Sequence, residues 1–338
     1  MNKIVFIAEK FGIEDEDITL KRLFSGHINE TYKLDCESGS YILQKVNSIV
    51  FKNPVFVMEN IELVSAHIRK KLSEKGEDFS RRMVCYLYSE GVNYYIDEAG
   101  SLWRMYRFID NSVSYERLES MTLVRSFGRL LGNVHLMLSD IPAGKLKVTI
   151  ENFHNTEKRL SLVLGADSKE YGEELGFFKR MMKYARMFND MEHALKVVHN
   201  DAKCSNVLFD NTGRGAAMID WDTVMPGYTA YDFGDAVRSS CCIEGHFDLE
   251  RFRVFSEGYF SGYKIRVSEA EYALACLNVT SELAARYFYD FLSEGSYFGD
   301  KSPEQKLSRT RELVRLGESI ELVLPEIKEI VFKIQRLY

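Results

Sequence analysis

A polar stretch between two largely apolar runs contains residues whose types and spacing could do chemistry. In residues 199–206 (HNDAKCSN), Asp201 is followed by Lys203 two positions later and by Asn206 five positions later. A hairpin pattern comes next, and its second strand ends at Asp220. Phosphoryl transfer needs such a set, because one carboxylate can accept a hydroxyl proton, an amide oxygen and a second carboxylate can bind Mg²⁺, and a lysine can offset the charge on the phosphoryl group.

The elements around this stretch must hold its side chains at a cleft. Up to about residue 108, the alternation of apolar residues and the turn residues predict a hairpin at residues 28–46 and a helix at residues 57–72. Further strands are predicted at residues 84–87, 93–96 and 102–109.

After this part the pattern becomes helical. Apolar residues at helical spacing predict helices at residues 115–138, 171–195, 248–262, 269–293 and 304–336, interrupted by a hairpin at residues 207–219. The sequence therefore predicts an α+β fold of two lobes. A small antiparallel-sheet lobe would occupy residues 1–109, and a larger, mostly helical lobe would occupy residues 110–338.

The composition is typical of a globular protein, with 46% hydrophobic and 28% charged residues. The formal net charge of −6 gives no reason to expect nucleic acid as a partner. Six scattered cysteines without a zinc or CxxC pattern favour reduced thiols. Because the sequence shows no signal peptide and no apolar run of about 20 residues, we expect a cytoplasmic protein with no membrane partner. No feature indicates an oligomeric state.

The Asp201 loop, with Asn206 and the strand end at Asp220, resembles the catalytic loop of the protein-kinase-like fold. It is closest in pattern to the branch of aminoglycoside phosphotransferases, choline kinases and related small-molecule kinases. Segments from about residue 20 to about residue 320 also resemble N-acetylhexosamine 1-kinases, which phosphorylate the anomeric hydroxyl of N-acetylglucosamine or N-acetylgalactosamine. The most specific segments are DTVMPG (222–227) and YDFGD (231–235). The resemblance implies ATP and Mg²⁺ as cofactors and a sugar as the phosphoryl acceptor.

The resemblance also implies roles for the residues of the loop. Asp201 would be the general base, Asn206 and Asp220 would bind Mg²⁺, and Lys203 would contact the γ-phosphate or the acceptor. Asp222 lies two positions past Asp220, so on a strand it would face the same side. In the kinases that the sequence resembles, such an aspartate hydrogen bonds the sugar.

Two later residues complete the implied substrate site. Arg286, in the helical segment SELAARYF, matches a sugar-contacting arginine, although a surface salt bridge would also explain it. Residues 232–234 spell DFG, the magnesium motif of protein kinases. This motif lies too far after Asn206, and the resemblance implies instead that Asp232 braces the catalytic loop by hydrogen bonds.

The nucleotide side of the site carries a weaker pattern. One glycine stands in place of a Gly-rich loop and would allow the backbone to approach phosphate closely. Alternation along the third strand directs Gln44 rather than Lys45 toward ATP, whereas protein kinases have a lysine there. The backbone of residues 107–109 would bind the adenine edge. Nucleotide binding is thus predicted for Gly26, Gln44, Lys45, Arg107 and Ile109.

Two other functions remain open. A kinase of the same class could phosphorylate an aminoglycoside, choline or an amino alcohol, although an arginine at position 286 disfavours a cationic acceptor. The missing strand lysine would also suit a catalytically weak sugar-binding protein on the same fold. The presence of Asp201, Asn206 and Asp220 together disfavours that alternative, because binding alone does not need all three.

Overall fold

The N-terminal part of the chain forms an antiparallel sheet with two helices. The computed structural model describes residues 3–23, 28–166, 170–295, 297–299 and 301–338. The elements of the N-terminal part are, in order, α1 (Lys3–Glu9), β1 (Thr19–Leu23), β2 (Glu30–Cys36), β3 (Gly39–Lys45), α2 (Pro54–Glu74), β4 (Tyr95–Ile96) and β5 (Leu102–Arg107).

The five strands lie in the order β1-β2-β3-β5-β4, and neighbouring strands are antiparallel. The predicted hairpin is confirmed as β2–β3, in which Cys36 pairs with Gly39 across a tight turn. Because side chains alternate along a strand, Tyr41 and Leu43 belong to a small core that α1 covers, whereas Gln44 lies on the opposite face. The sequence predicts no helix at α1, so this element is an addition to the expected fold.

The segment at residues 84–87 is not the strand that the sequence predicts. Tyr86 makes only an isolated antiparallel bridge to Tyr106, and the backbone N–H of Arg107 donates to the carbonyl oxygen of Cys85 at 3.1 Å. The segment therefore runs along β5 without forming a regular ladder.

The remainder of the chain is mostly helical, as predicted. Its elements are β6 (Ser112–Val113), α3 (Met121–Leu138), α4 (Thr156–Leu164), α5 (Gly172–Asn189), β7 (Lys196–Val198), β8 (Val207–Asp210), β9 (Gly215–Met218), β10 (Met225–Gly227), α6 (Thr229–Ser240), β11 (Cys242–Ile243), β12 (His246–Phe247), α7 (Leu249–Gly262), α8 (Glu269–Leu292), α9 (Pro303–Leu322) and α10 (Leu324–Ile334). None of the helices in the described part of the chain has the length and apolar character needed to cross a membrane.

The longer helices follow the predicted periodicity, but α3 begins at residue 121 rather than 115, α5 ends at residue 189 rather than 195, and α4 is not predicted. Two further differences concern the later helices. The helix predicted at residues 304–336 is two helices, α9 and α10, and Pro325 stands in the first turn of the second, where its missing N–H costs no helical hydrogen bond. Helix α6 is not among the predicted helices, and most of its residues, including its charged ones, are buried. The α+β fold class, with the sheet first and the helices after it, is confirmed.

Helices α3 and α7 approach each other unusually closely through glycine. A Cβ atom built on Gly132 would lie 2.2 Å from the carbonyl oxygen of Tyr259, and one built on Gly258 would lie 2.1 Å from the carbonyl oxygen of Arg125. No other residue fits these positions without moving the backbone, since real Cβ atoms do not approach oxygen so closely. The contact fixes α3 and α7 as a pair beneath the catalytic elements.

Helix α2 precedes residue 109 in the sequence but packs in the core of the helices that follow it. Its apolar residues, including Val57 and Ile61, belong to the same hydrophobic cluster as Phe127 of α3. The buried Asn60 side chain joins the two parts through its Nδ2, which donates to the carbonyl oxygens of Lys147 and Val224, each at 2.8 Å. The division of the chain at residue 109 remains a prediction.

Candidate active site

The Asp201 loop connects β7 to β8 and closes with a 3-10 turn at Cys204–Asn206. Oδ2 of Asp201 accepts hydrogen bonds from Nζ of Lys203 at 2.8 Å and from Nδ2 of Asn206 at 2.9 Å. The three residues line a cleft of about 740 Å³ together with Asp220. The structure thus brings together the four residues that the sequence places in the phosphoryl-transfer set.

Hydrogen bonds to a single buried carboxylate hold the backbone of this loop. Oδ2 of Asp232, on α6, accepts from the N–H of His199 at 2.8 Å, and Oδ1 accepts from the N–H of Asn200 at 2.6 Å. Nε2 of His135 lies 2.9 Å from the same Oδ2. Asn200 has a positive φ of 63°, a conformation that costs a non-glycine residue free energy. The contacts of Asp232 are those expected of a residue that braces the loop.

The hydrogen bonds of His199 define its protonation. Its Nε2 lies 3.0 Å from the carbonyl oxygen of Ile219, and its Nδ1 accepts from the N–H of Asp201 at 3.3 Å. Nε2 must therefore carry the proton while Nδ1 is free of one. Burial lowers the pKa of His199 below its usual value, which agrees with a neutral ring.

Opposite influences act on the pKa of Asp201. Burial alone would raise it, but the Lys203 ammonium group and the hydrogen bond from Asn206 together contribute to a pKa below the usual value. The same pairing raises the pKa of Lys203, against the effect of its own burial. Asp201 is therefore an ionised carboxylate facing the cleft, as a proton acceptor must be.

Asp220 follows β9 in a left-handed conformation, with φ of 62°. Burial, and then the charge of Asp222, raises the pKa of Asp220 to about 7. No residue in the described part of the chain donates a hydrogen bond to its carboxylate. The N–H of Ile219 donates to the carbonyl oxygen of Asn206 at 2.9 Å, so the segments that carry Asn206 and Asp220 lie side by side.

This pair of residues fits a divalent cation. A half-buried carboxylate that accepts no hydrogen bond has an unmet need for positive charge. The Oδ1 of Asn206 remains available because Nδ2 makes the bonds to Asp201. Oxygen ligands of this kind suit Mg²⁺, which usually takes few protein ligands and completes its shell with phosphate and water. Among the described residues, no group of three or more His, Cys, Asp or Glu side chains could hold a metal alone.

Asp222 does not lie where strand alternation would place it. It is in a 3-10 turn, Trp221–Thr223, because the left-handed Asp220 ends the strand. Its Oδ1 lies 2.5 Å from Nη1 of Arg104, and its Oδ2 accepts from Nδ2 of Asn29 at 2.7 Å. The expectation that Asp222 shares the orientation of Asp220 is therefore wrong, and its side chain is not among those that line the cleft.

The half of the cleft where the sequence predicts nucleotide binding lies against the face of the sheet opposite α1. Gln44, Arg107 and Ile109 line it as predicted. Lys45 does not, because it points to the other face, where its Nζ is 6.0 Å from the centre of the Trp103 ring. The prediction that Lys45 binds the nucleotide is therefore wrong, because neighbouring side chains of a strand point to opposite faces and Gln44 faces the cleft. Gly26 lies outside the described residues.

Apolar side chains from both parts of the chain form the walls of this half, as a planar base would require. They are Leu23, Ile28, Ile42, Val84, Tyr106, Leu208 and Ile219. At the edge, the N–H of Phe108 already donates to the carbonyl oxygen of Ser40 at 2.9 Å. The N–H of Arg107 donates to the carbonyl oxygen of Cys85. Of the three backbone positions predicted to bind adenine, Arg107 and Phe108 thus have no N–H to offer.

The other half of the cleft is lined by charged and aromatic side chains of the helical part. Arg286, on α8, donates to the hydroxyl of Tyr297 at 2.6 Å. Its guanidinium carbon also lies 5.9 Å from the ring centre of Phe153 and 5.6 Å from that of Phe298. The structure therefore places Arg286 inside the cleft rather than in a surface salt bridge.

Two buried acid–base pairs line the same half. Nδ1 of His154 is 3.5 Å from Oε2 of Glu282, one helical turn before Arg286. Oδ1 of Asp235 accepts from Nε and Nη2 of Arg238 at 2.9 and 2.6 Å. Both of these buried carboxylates are thus already paired with a cationic or potentially cationic group.

Several of these residues escape sequence reasoning. His154 and Glu282 are far apart in the sequence, and no spacing rule connects them. Asp235 and Arg238 lie on α6, which the sequence does not predict, and both line the cleft. Arg104 lies within a predicted strand, where no sequence pattern marks it as a site residue. Its place at the cleft follows from the register of the sheet, in which it lies opposite Gln44.

Comparison with known proteins agrees with this geometry. The sequence pattern of the phosphotransferase enzyme family matches residues 19–265. A microcompartment-associated aminopropanol kinase has a similar structure, with 17% sequence identity, coverage of 96% of this chain and 98% of that chain, and a TM-score of 0.70.

Two further solved structures share the fold. A choline kinase from Streptococcus pneumoniae is 14% identical, with 95% of this chain and 99% of that chain covered and a TM-score of 0.61. A spectinomycin phosphotransferase in complex with ADP and spectinomycin is 15% identical, with 99% of each chain covered and a TM-score of 0.59. The family pattern spans well over half of the sequence, and the chain therefore belongs to the phosphotransferase enzyme family.

Proposed function

We propose that this phosphotransferase is an ATP- and Mg²⁺-dependent kinase of a small-molecule hydroxyl group, most specifically the anomeric hydroxyl of an N-acetylhexosamine. The observation that carries the proposal is the convergence of Asp201, Asn206 and Asp220 on one cleft. ATP enters the proposal through the family, one of whose structural relatives was solved with ADP.

The residues of the loop divide the work of the reaction. Asp201 would accept the proton of the attacking hydroxyl, and Lys203, 2.8 Å from it, would offset negative charge on the phosphoryl group in transfer. Asn206 and Asp220 would hold Mg²⁺, which supplies charge neutralisation of the phosphates when bound. Asp232 and His135 would keep the loop backbone in place while the substrate binds.

In the half of the cleft that contains Arg286, the buried charged residues favour a neutral, polyhydroxylated acceptor. A cationic acceptor needs an uncompensated carboxylate, whereas Asp235 is paired with Arg238 and Glu282 lies beside His154. Arg286 adds a hydrogen-bond donor between aromatic rings, a setting that suits the oxygen atoms and the apolar face of a sugar. The sequence resemblance to N-acetylhexosamine 1-kinases supports the same acceptor.

A second candidate acceptor is an amino alcohol, choline or an aminoglycoside. The comparisons support this alternative better than a sugar, because the similar solved structures include an aminopropanol kinase, a choline kinase and a spectinomycin phosphotransferase. At 14 to 17% identity these relatives share the fold with this chain. The acceptor of this chain must therefore be identified by assay.

Turnover with a panel of acceptors tests both candidates. Purified protein would be incubated with ATP, Mg²⁺ and N-acetylglucosamine, N-acetylgalactosamine, glucose, choline, aminopropanol or spectinomycin, and ADP release would be measured. We expect release with an N-acetylhexosamine and a phosphate on its anomeric carbon. Turnover of an amino alcohol alone would replace the sugar by the second candidate. Calorimetric binding of a sugar without any binding of Mg·ATP would instead favour a sugar-binding protein.

A further inference from the structure

The nucleotide half of the cleft lacks the strand lysine that protein kinases place against the ATP phosphates. We propose that Arg104, on the neighbouring strand, supplies this positive charge and binds the nucleotide phosphates, and that Gln44 positions it. This inference rests on the proposed use of ATP and assigns a residue to it that the sequence pattern does not mark.

The register of the sheet places Arg104 beside the position of the missing lysine. Gln44 of β3 pairs directly with Arg104 of β5 on one side and with Thr31 of β2 on the other. Residues that are directly opposite each other in an antiparallel sheet have side chains on the same face. Thr31, Gln44 and Arg104 thus form a polar row across three strands, and all three line the cleft.

Gln44 holds the guanidinium group in a fixed orientation. Its Oε1 accepts hydrogen bonds from Nε and Nη2 of Arg104 at 3.0 and 2.8 Å, and its Nε2 donates to Oγ1 of Thr31 at 3.1 Å. A lysine at position 44 could not accept these bonds, since an ammonium group only donates. The glutamine is therefore the residue type that an arginine on the next strand requires.

The carboxylate that pairs with this cation also lies on a different element from the one used in protein kinases. In protein kinases a glutamate of the helix after the third strand pairs with the strand lysine. Here Glu62 of α2 accepts instead from the Tyr88 hydroxyl at 2.7 Å and from Nδ2 of Asn93 at 3.0 Å. Arg104 pairs with Asp222 at 2.5 Å, and both partners of the usual pair are thus replaced.

Arg104 retains donors for a phosphate after these contacts. A guanidinium group has five N–H donors, of which Gln44 takes two and Asp222 takes one. The other contact of its nitrogens within the described residues is Sδ of Met58, a weak acceptor, at 4.0 Å. The side chain is 1% exposed, so a phosphate oxygen that reached it would meet a charge little screened by water.

Nucleotide binding to the full chain tests this role. Affinities for ATP with Mg²⁺ and for adenosine would be measured by calorimetry for the wild type and for Arg104→Gln. We expect the affinity for ATP to fall by about 10- to 100-fold, as the loss of charge-assisted hydrogen bonds implies, while the affinity for adenosine stays within about twofold. Arg129→Gln, at an exposed position of α3, should change neither affinity.

A rescue variant separates phosphate binding from a purely structural role. In Gln44→Lys with Arg104→Gln, the positive charge returns to β3, and we expect most of the lost affinity for ATP to return with it. If Arg104 were only a structural tie to Asp222, Arg104→Gln would lose ATP and adenosine affinity equally or not at all, and the rescue variant would recover nothing. Either result overturns the inference.

A third variant keeps the test decisive if Arg104→Gln does not fold. Combining it with Asp222→Asn removes both charges of the buried pair, so that no unpaired carboxylate remains in the interior. We expect this variant to show the same selective loss of ATP affinity, and wild-type affinity for ATP would refute the role of Arg104. Failure of the wild type to bind Mg·ATP would overturn the proposed function as well, whereas wild-type binding with an unaffected variant would overturn the Arg104 inference alone.

Discussion

The carboxylate of Asp201 accepts two hydrogen bonds at the floor of the cleft, which makes it the residue on which turnover should depend most. We predict that Asp201→Asn leaves the fold and sugar binding largely intact but reduces kcat by roughly 100-fold or more, because general-base catalysis contributes about that factor. Steady-state kinetics with a substrate that the wild type phosphorylates measures this loss of kcat. Asp190→Asn, at an exposed helix end, is the control, and unchanged kcat in Asp201→Asn would disprove the assignment of the base.

His154 and Glu282 give a second prediction, on the pH dependence of stability. Burial lowers the pKa of His154, but Glu282, 3.5 Å away, raises it overall above its usual value of 6.5. The folded state therefore binds a proton more tightly than the unfolded state does. The resulting stabilisation should be complete below about pH 6.5 and be lost as the pH rises through the higher pKa of the folded state.

Chemical unfolding between pH 6 and pH 9 measures this contribution. In His154→Gln the free energy of unfolding should fall less across that range than it does in the wild type, whereas His246→Gln, at an exposed position, should show the wild-type fall. An identical pH profile for the wild type and His154→Gln would contradict the charged pair.

At the scale of single residues, the sequence predicts the loop because its members are close along the chain. Asp201, Lys203 and Asn206 lie within one turn-containing segment, so their spacing alone brings them together. Arg104 and Asp222 meet only through strand register and a left-handed residue before a 3-10 turn. Neither feature has a pattern in the sequence, and the contacts of Asp222 therefore differ from the expectation.

At the scale of elements, the contact of α3 with α7 depends on glycine. We predict that Gly258→Ala destabilises the protein by at least about 1–3 kcal/mol, since the added Cβ would meet backbone rather than a side chain that can move. Gly176→Ala is the matched control. It lies inside α5 with nothing within 4 Å of the added atom, so it should stabilise by roughly 0.5–1 kcal/mol.

Denaturant unfolding of both variants measures the difference. Gly258→Ala with wild-type stability would mean that the two helices separate at little cost, and the close contact would then not be a requirement of the fold. The two substitutions add the same methyl group in a helix, so intrinsic helix propensity cannot explain opposite signs.

The elements that the sequence predicts best are the long helices. Helix α8 begins where the sequence predicts and ends within one residue of the predicted end, and its N-cap Ser268 accepts from the N–H of Glu271 at 3.3 Å. Helix α6 has only 12 residues, and its charged residues Asp232, Asp235 and Arg238 are buried, so they do not mark a solvent-facing side. Helix α1 is short and buries only Ile4, Ile7 and Ala8 on the sheet, too few residues to establish a period.

At the scale of the whole molecule, the shared core leads to a prediction about cooperativity. Because α2 contributes to the hydrophobic cluster of the helical part, the two parts of the chain should unfold together. Differential scanning calorimetry should show one transition with a ratio of calorimetric to van't Hoff enthalpy near 1. Two resolved transitions would show that the sheet and the helices are independent units.

The bonds of Asn60 also determine which part of the molecule can open to admit a nucleotide. Since they tie α2 to the backbone at Lys147 and Val224, this helix must travel with the helices behind it. Three segments then connect the sheet to α2 or to the helical part, namely residues 46–53, 75–94 and 108–111. Because three connecting segments restrict rotation of the sheet, it has little freedom to twist. We therefore expect substrate access to depend on a rocking motion of the sheet and α1 relative to a stationary α2.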